Sequence, residues 1–132
     1  DNYHMDNKKI IVYVAVIFSI VCNVQGAIIQ VGSTQNYTNI LDALNDATDY
    51  DILQLDPETF SGLGNYQLDL SNKSITIAGN SSDSTIIDCQ NLGRAFFAVS
   101  NDTIDLVFQD LTIQNCNAHG MYANDSASSV NL

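Results

Sequence analysis

The chain has 132 residues, enough for one modest domain, with ordinary apolar content and few charged residues. Its formal net charge is −11 at pH 7, and from Ala27 onward only Lys73 and Arg94 stand against thirteen acidic residues. An acidic surface repels phosphate backbones, which argues against a nucleic-acid partner. The acidity is read as solubility rather than Ca²⁺ attraction, since no Asp-x-Asp-x-Asp loop of the EF-hand kind is present. No cofactor is expected.

Residues 1–26 read as a leader. Met5 looks like the initiator, which leaves Asp1 to His4 upstream of it. Lys8 and Lys9 precede an apolar stretch from Ile10 to Val21, and Val24 and Gly26 supply small or aliphatic residues before Ala27. Basic, apolar and small, in that order, is the pattern of a signal peptide cut before Ala27. The apolar stretch is shorter than the roughly 20 residues a bilayer-spanning helix needs. The mature part, residues 27–132, therefore carries no expected transmembrane segment, and a secreted or extracellular-surface location follows.

Secretion suits the sequons. Asn-x-Ser/Thr occurs at Asn36, Asn72, Asn80, Asn101 and Asn124, mostly at predicted turns where a glycan has room. Cys22 leaves with the leader, and Cys89 and Cys116 remain for an oxidising compartment. Two cysteines and one mature histidine lack the close pairing of a zinc site, so no metal ligands are assigned.

Ala27 to Gly32 begins the mature chain as a short strand. Asn39 to Thr48 reads as a helix capped by Asn39, with Ile40, Ala43, Leu44 and Ala47 on one face. Asp51 to Leu55 is the next strand, and Pro57 marks its end within a turn from Asp56 to Gly62. Gln67–Leu70, Ser74–Ala78, Thr85–Asp88, Ala95–Val99, Ile104–Phe108, Leu111–Gln114 and Met121–Ala123 follow as short strands rich in β-branched and aromatic residues. Ser126 to Leu132 looks like the start of another, so residues 27–132 are expected to be the N-terminal coils of a longer domain.

One stretch organises the rest. Thr85-Ile86-Ile87-Asp88-Cys89 and Thr112-Ile113-Gln114-Asn115-Cys116 share the pattern Thr-Ile-x-(Asp/Asn)-Cys. A recurrence 27 residues on, filled by three short strands, marks a solenoid whose coils bury their apolar faces against one another. The amphipathic helix then covers the open first coil. Antiparallel hairpins would call for Asn-Gly or Asp-Gly turns, which the chain lacks. In stacked coils Cys89 and Cys116 have Cα atoms roughly 4.8 Å apart. That spacing suits either a disulfide or a ladder of two free cysteines. Asn115, in line with Asp88, extends the pattern as a member of an internal Asn/Asp ladder.

The run from Ile28 to Cys116 resembles the N-terminal part of the pectin-lyase-like superfamily. The helix followed by Asp51-Ile52-Leu53-Gln54-Leu55-Asp56-Pro57-Glu58-Thr59-Phe60 looks like the family's opening, with Glu58 where glycine is usual. Leu70 to Gly79 and Ser84 to Asp88 look like its next elements. Phe108 to Cys116 is similar to the coil motif of polymorphic outer-membrane-protein-type repeat proteins of protists, although the Gly-Gly step of that repeat appears only as His119-Gly120-Met121. The resemblance implies an all-β fold, a right-handed parallel β-helix (solenoid) with one N-terminal capping helix. It also admits two functions. One is a non-catalytic secreted or surface glycoprotein for adhesion or recognition, with an extracellular polysaccharide or cell-surface protein as partner. The other is the front fragment of a polysaccharide-active enzyme resembling pectin lyases, pectinesterases or polygalacturonases, which work with carboxylates and an arginine on one sheet. No catalytic motif is present in these residues. Asp105 and Asp110 read as a solvated face or turn, Arg94 as a surface charge lying over the coil, and His119 as a turn residue.

Overall fold

The computed structural model describes residues 26–99, 103–123 and 128–131. Strand β1 (Ile28–Val31) leads through a loop to helix α1 (Ile40–Asp46). Three strands then make each coil: β2 (Ile52–Leu55), β3 (Thr59–Ser61) and β4 (Leu68–Asp69), followed by β5 (Ile75–Ala78), β6 (Ile86–Asp88) and β7 (Phe96–Ala98). A third set, β8 (Ile104–Gln109), β9 (Thr112–Gln114) and β10 (Met121–Ala123), precedes β11 (Ser128–Asn131). The coils stack into three sheets, ordered β1-β2-β5-β8-β11, β3-β6-β9 and β4-β7-β10. Every strand pair among them is parallel. The result is a β-solenoid of about four turns.

Alternation along each strand decides which side chains enter the solenoid. In the first sheet Ile29, Leu53, Ile77 and Phe108 stack in register. Phe60, Ile87 and Ile113 do so in the second, and Leu68, Phe96 and Met121 in the third. Leu53, Ile77, Phe60, Ile87, Leu68 and Phe96 are all buried. The rings of Phe96 and Phe108 meet at 5.1 Å inside the core, tilted by 51°. Each coil thus supplies one apolar rung per sheet and relies on its neighbours to dehydrate it.

Helix α1 closes the first coil as expected. The Asn39 side chain caps it, accepting from the Asp42 N–H at 2.9 Å, and Ile40, Ala43 and Leu44 are buried. At its far end the Lys73 ammonium donates to the carbonyls of Leu44 and Asn45, a cation where the helix dipole is negative. Asn65 ties the helix start to the coil beneath. Its Oδ1 accepts from the Ile40 N–H at 3.0 Å and its Nδ2 donates to the Ser61 carbonyl at 2.9 Å. Asn65 is buried, so Asn65→Ala strands the buried Ile40 N–H and removes the bond to the Ser61 carbonyl. The expected loss is about 2–3 kcal/mol of unfolding free energy, read as a lower urea midpoint at unchanged slope.

Three expectations need correction. The segment from Asp56 to Gly62 is not all turn. After Pro57 and Glu58 it re-enters the ladder as β3, because Phe60 is needed to fill the core. The paired Thr-Ile motifs stack in register only at their cysteine ends, where the Cα atoms of Cys89 and Cys116 lie 4.8 Å apart as expected. Ile86 opposes Thr112 and Ile87 opposes Ile113, one residue away from the motif alignment. Asn115, at φ 55°, is the extra residue: it lies between Gln114, which opposes Asp88, and Cys116, which returns beside Cys89. The coils also differ in length, since Ile52 pairs with Thr76 but Ile77 with Phe108. Finally, the Asp88–Asn115 pair lies outside the solenoid rather than inside it. Asp88 follows the buried Ile87 and so faces outward.

Candidate recognition surface

Two outward faces carry the exposed chemistry of the solenoid. The first lies on the sheet β3-β6-β9. Ser61, Asp88 and Gln114 share one register there, so their side chains line up across the coils. Asp88 is the centre. Its Oδ1 accepts from the Gln90 N–H at 2.9 Å, and its Oδ2 accepts from Gln114 Nε2 and Asn115 Nδ2, each at 3.1 Å. These donors, the Gln90 N–H foremost, hold the carboxyl below its ordinary range. Beside it Cys89 and Cys116 are joined, with sulfurs 2.09 Å and Cα atoms 4.8 Å apart.

The second face lies on the sheet β4-β7-β10. Asp69, Phe97 and Tyr122 share one outward register. Phe97 sits between two buried neighbours, Phe96 and Ala98, and therefore points the other way. Tyr122 is 42% exposed, and the Arg94 guanidinium lies 5.0 Å from its ring centroid. A cation against an aromatic face holds both side chains in place. The result is a flat strip with an acid at one end, two rings in succession and a guanidinium. Such a strip offers apolar faces together with fixed donors and acceptors, the combination that holds an extended polar chain.

The residues singled out by sequence fall in several places. Asn36, Asn72 and Asn80 are exposed and lie off the strands. Asn101 and Asn124 lie outside the described residues, as does the leader up to residue 25. Asp105 is exposed on β8, and Asp110 turns the chain between β8 and β9 at φ 57°. His119 is exposed. Arg94 does lie over the coil, against Tyr122. Among the described residues no three His, Cys, Asp or Glu side chains group to hold a metal ion, and no helix is long and apolar enough to cross a membrane.

Sequence reasoning missed Phe97, Tyr122 and Asp51. In Ala95-Phe96-Phe97-Ala98 the two-residue period shows that one phenylalanine must face out, though not which. Asp51 is a buried carboxylate whose Oδ2 accepts from the Thr48 N–H at 2.8 Å and the Thr48 hydroxyl at 3.3 Å. Its Oδ1 accepts from the Ala27 N–H at 2.8 Å. The Thr48 N–H is the main cause of a lowered pKa; the Ala27 N–H, the Thr48 hydroxyl and the charge of Lys73 add to it against the cost of burial.

Asp51 and Asp88 make stability acid-sensitive. Both folded pKa values lie below the ordinary carboxylate value. Both therefore contribute fully above the unfolded pKa of about 4 and lose that contribution as pH falls through the folded value. The urea midpoint should hold steady from about pH 7 to 5 and drop below about pH 4. Asp51→Asn should flatten that drop.

No protein-family model, no curated protein and no solved structure matches this chain.

Proposed function

We propose that this chain is a secreted or cell-surface glycoprotein whose non-catalytic β-helix serves adhesion or recognition of an extracellular polysaccharide or cell-surface protein. The observation that carries the reading is the outward strip of Asp69, Phe97, Tyr122 and Arg94, where an aromatic register is braced by a guanidinium. The leader pattern ending at Gly26 and the exposed sequon residues Asn36, Asn72 and Asn80 support the secretory route. The finer fold assignment, a right-handed coil of the pectin-lyase-like superfamily with polymorphic outer-membrane-protein-type repeats, belongs to the same proposal. Its supports are the order of helix, strand and turn from Asn39 to Phe60 and the strong preference for right-handed crossovers between parallel strands of one sheet.

The test is expression in eukaryotic cells with the leader intact. The protein should appear in the medium with glycans removable by an endoglycosidase. It should bind at least one member of a panel of immobilised polysaccharides and cell surfaces. Tyr122→Ala should weaken that binding about tenfold while leaving the melting temperature within about 2 °C. Retention inside the cell without glycans would remove the secretory reading. Release of cleaved oligosaccharides from the panel would replace the adhesin with the polysaccharide-active enzyme.

A further inference from the structure

Asp51 is the one ionisable side chain in the buried set among the described residues. Its direct partners are the N–H groups of Ala27 and Thr48 and the Thr48 hydroxyl, all neutral donors. The ammonium of Lys73 acts on it only at a distance, because it donates to the Leu44 and Asn45 carbonyls. A buried carboxylate is costly unless a cation pairs with it.

The chain enters the fold beside this carboxylate. A Cβ on Gly26 would stand 2.2 Å from the Tyr50 carbonyl oxygen and 2.5 Å from the Asp51 nitrogen. Only glycine can lie there without displacing backbone. The next residue, Ala27, aims its nitrogen at Asp51 Oδ1 and its carbonyl at the Ile52 N–H, 2.8 Å away. The first bonds of β1 onto β2 are therefore made at the position where the leader pattern ends.

We propose that Ala27 is the first residue of the finished protein and that its α-ammonium seats on the Asp51 carboxylate, an ion pair that pins β1 to the solenoid. The inference rests on the secretory reading above. Hydrolysis of the Gly26–Ala27 amide by a signal peptidase adds one water. The Gly26 carbonyl carbon takes its oxygen and leaves as a carboxylate, and the Ala27 nitrogen becomes an amine that is protonated to ammonium. That nitrogen already stands 2.8 Å from Oδ1, so cutting turns a hydrogen bond from a neutral amide to the carboxylate into an ion pair without moving the strand. Processing thereby stabilises the first coil and supplies the buried carboxylate with its cation.

The experiment uses the protein secreted from eukaryotic cells. N-terminal sequencing should read Ala-Ile-Ile-Gln. From Ala27 onward Lys73 is the one lysine, so in a Lys73→Arg background the α-amine is the sole amine open to acetylation. Acetylating it should lower the melting temperature by about 5 °C. In Asp51→Asn the same acetylation should change the melting temperature by less than about 1 °C. The acetylation rate gives a second reading that needs no Asp51 variant. An α-amine held as ammonium by the Asp51 carboxylate should react about tenfold more slowly in the folded protein than in urea. A first residue other than Ala27 overturns the proposal, and a leader retained whole removes the secretory reading with it. A first residue at Ala27, with equal acetylation cost in both backgrounds or equal rates folded and unfolded, overturns the ion pair alone and leaves secretion standing.

Discussion

Removal of the Cys89–Cys116 bridge is expected to cost about 3–4 kcal/mol of unfolding free energy, the loop-closure value for a bridge of this span. The two residues are 27 apart in sequence, and one belongs to the coil of β5, β6 and β7 while the other belongs to the coil of β8, β9 and β10. A covalent tie between successive coils has a particular consequence in a solenoid. Each coil touches only its neighbours, so the outermost can fray without the rest unfolding. The bridge holds the third coil to the second next to their shared sheet, where Ile87 faces Ile113. Reduction, or the double variant Cys89→Ala with Cys116→Ala, should therefore lower the urea midpoint. It should also speed amide exchange in β9 and β10 well before exchange in β2 and β3. Cys89 is fully buried, so alanine there leaves a small void but no stranded polar group. A reduced protein with an unchanged midpoint would mean that the thiols stack as a free pair.

The parts of the fold that were legible in sequence are those set within a few residues. The Asn39 cap and the face of Ile40, Ala43 and Leu44 are local, and α1 forms where they place it. Strands such as β5 and β10 follow from β-branched and aromatic runs bounded by turn residues. What one coil does against the next was less legible, because register depends on how many residues each corner consumes. A repeat of five residues pointed to stacked coils, and its cysteines do stack, yet Asn115 at φ 55° places one extra residue ahead of Cys116 and leaves the strand ladder off by one position. One position is enough to exchange inside and outside. Asp88 follows the buried Ile87 and Phe97 the buried Phe96, so alternation puts both outside, and only the observed register shows which partners they meet there. Asp51 and Asn65 escaped notice for a different reason. Beside the near partners Thr48 and Ser61, each reaches a backbone N–H more than twenty residues away, on Ala27 and Ile40, and backbone groups have no residue signature.

Phe96→Ala is the substitution expected to damage the solenoid most, by about 3–5 kcal/mol. Phe96 is fully buried and stacks between Leu68 of the coil before and Met121 of the coil after. Its ring also meets Phe108 from the first sheet, so its removal opens a void touching two sheets and three coils. With coils this narrow, no second layer of side chains can close over the gap. A loss of that size is a large share of the 5–15 kcal/mol typical of a domain. The variant should melt far lower or fail to fold at 37 °C. The neighbouring substitution, Phe97→Ala, is the control. It removes the same ring from the same strand, but from the outer face, and should cost about 1 kcal/mol or less. It should instead reduce binding at the aromatic strip. Stability lost at position 96 and binding lost at position 97 would show that a single peptide step separates the core from the recognition face. Equal losses of stability at both positions would mean that the outer strip is packed rather than free to receive a ligand.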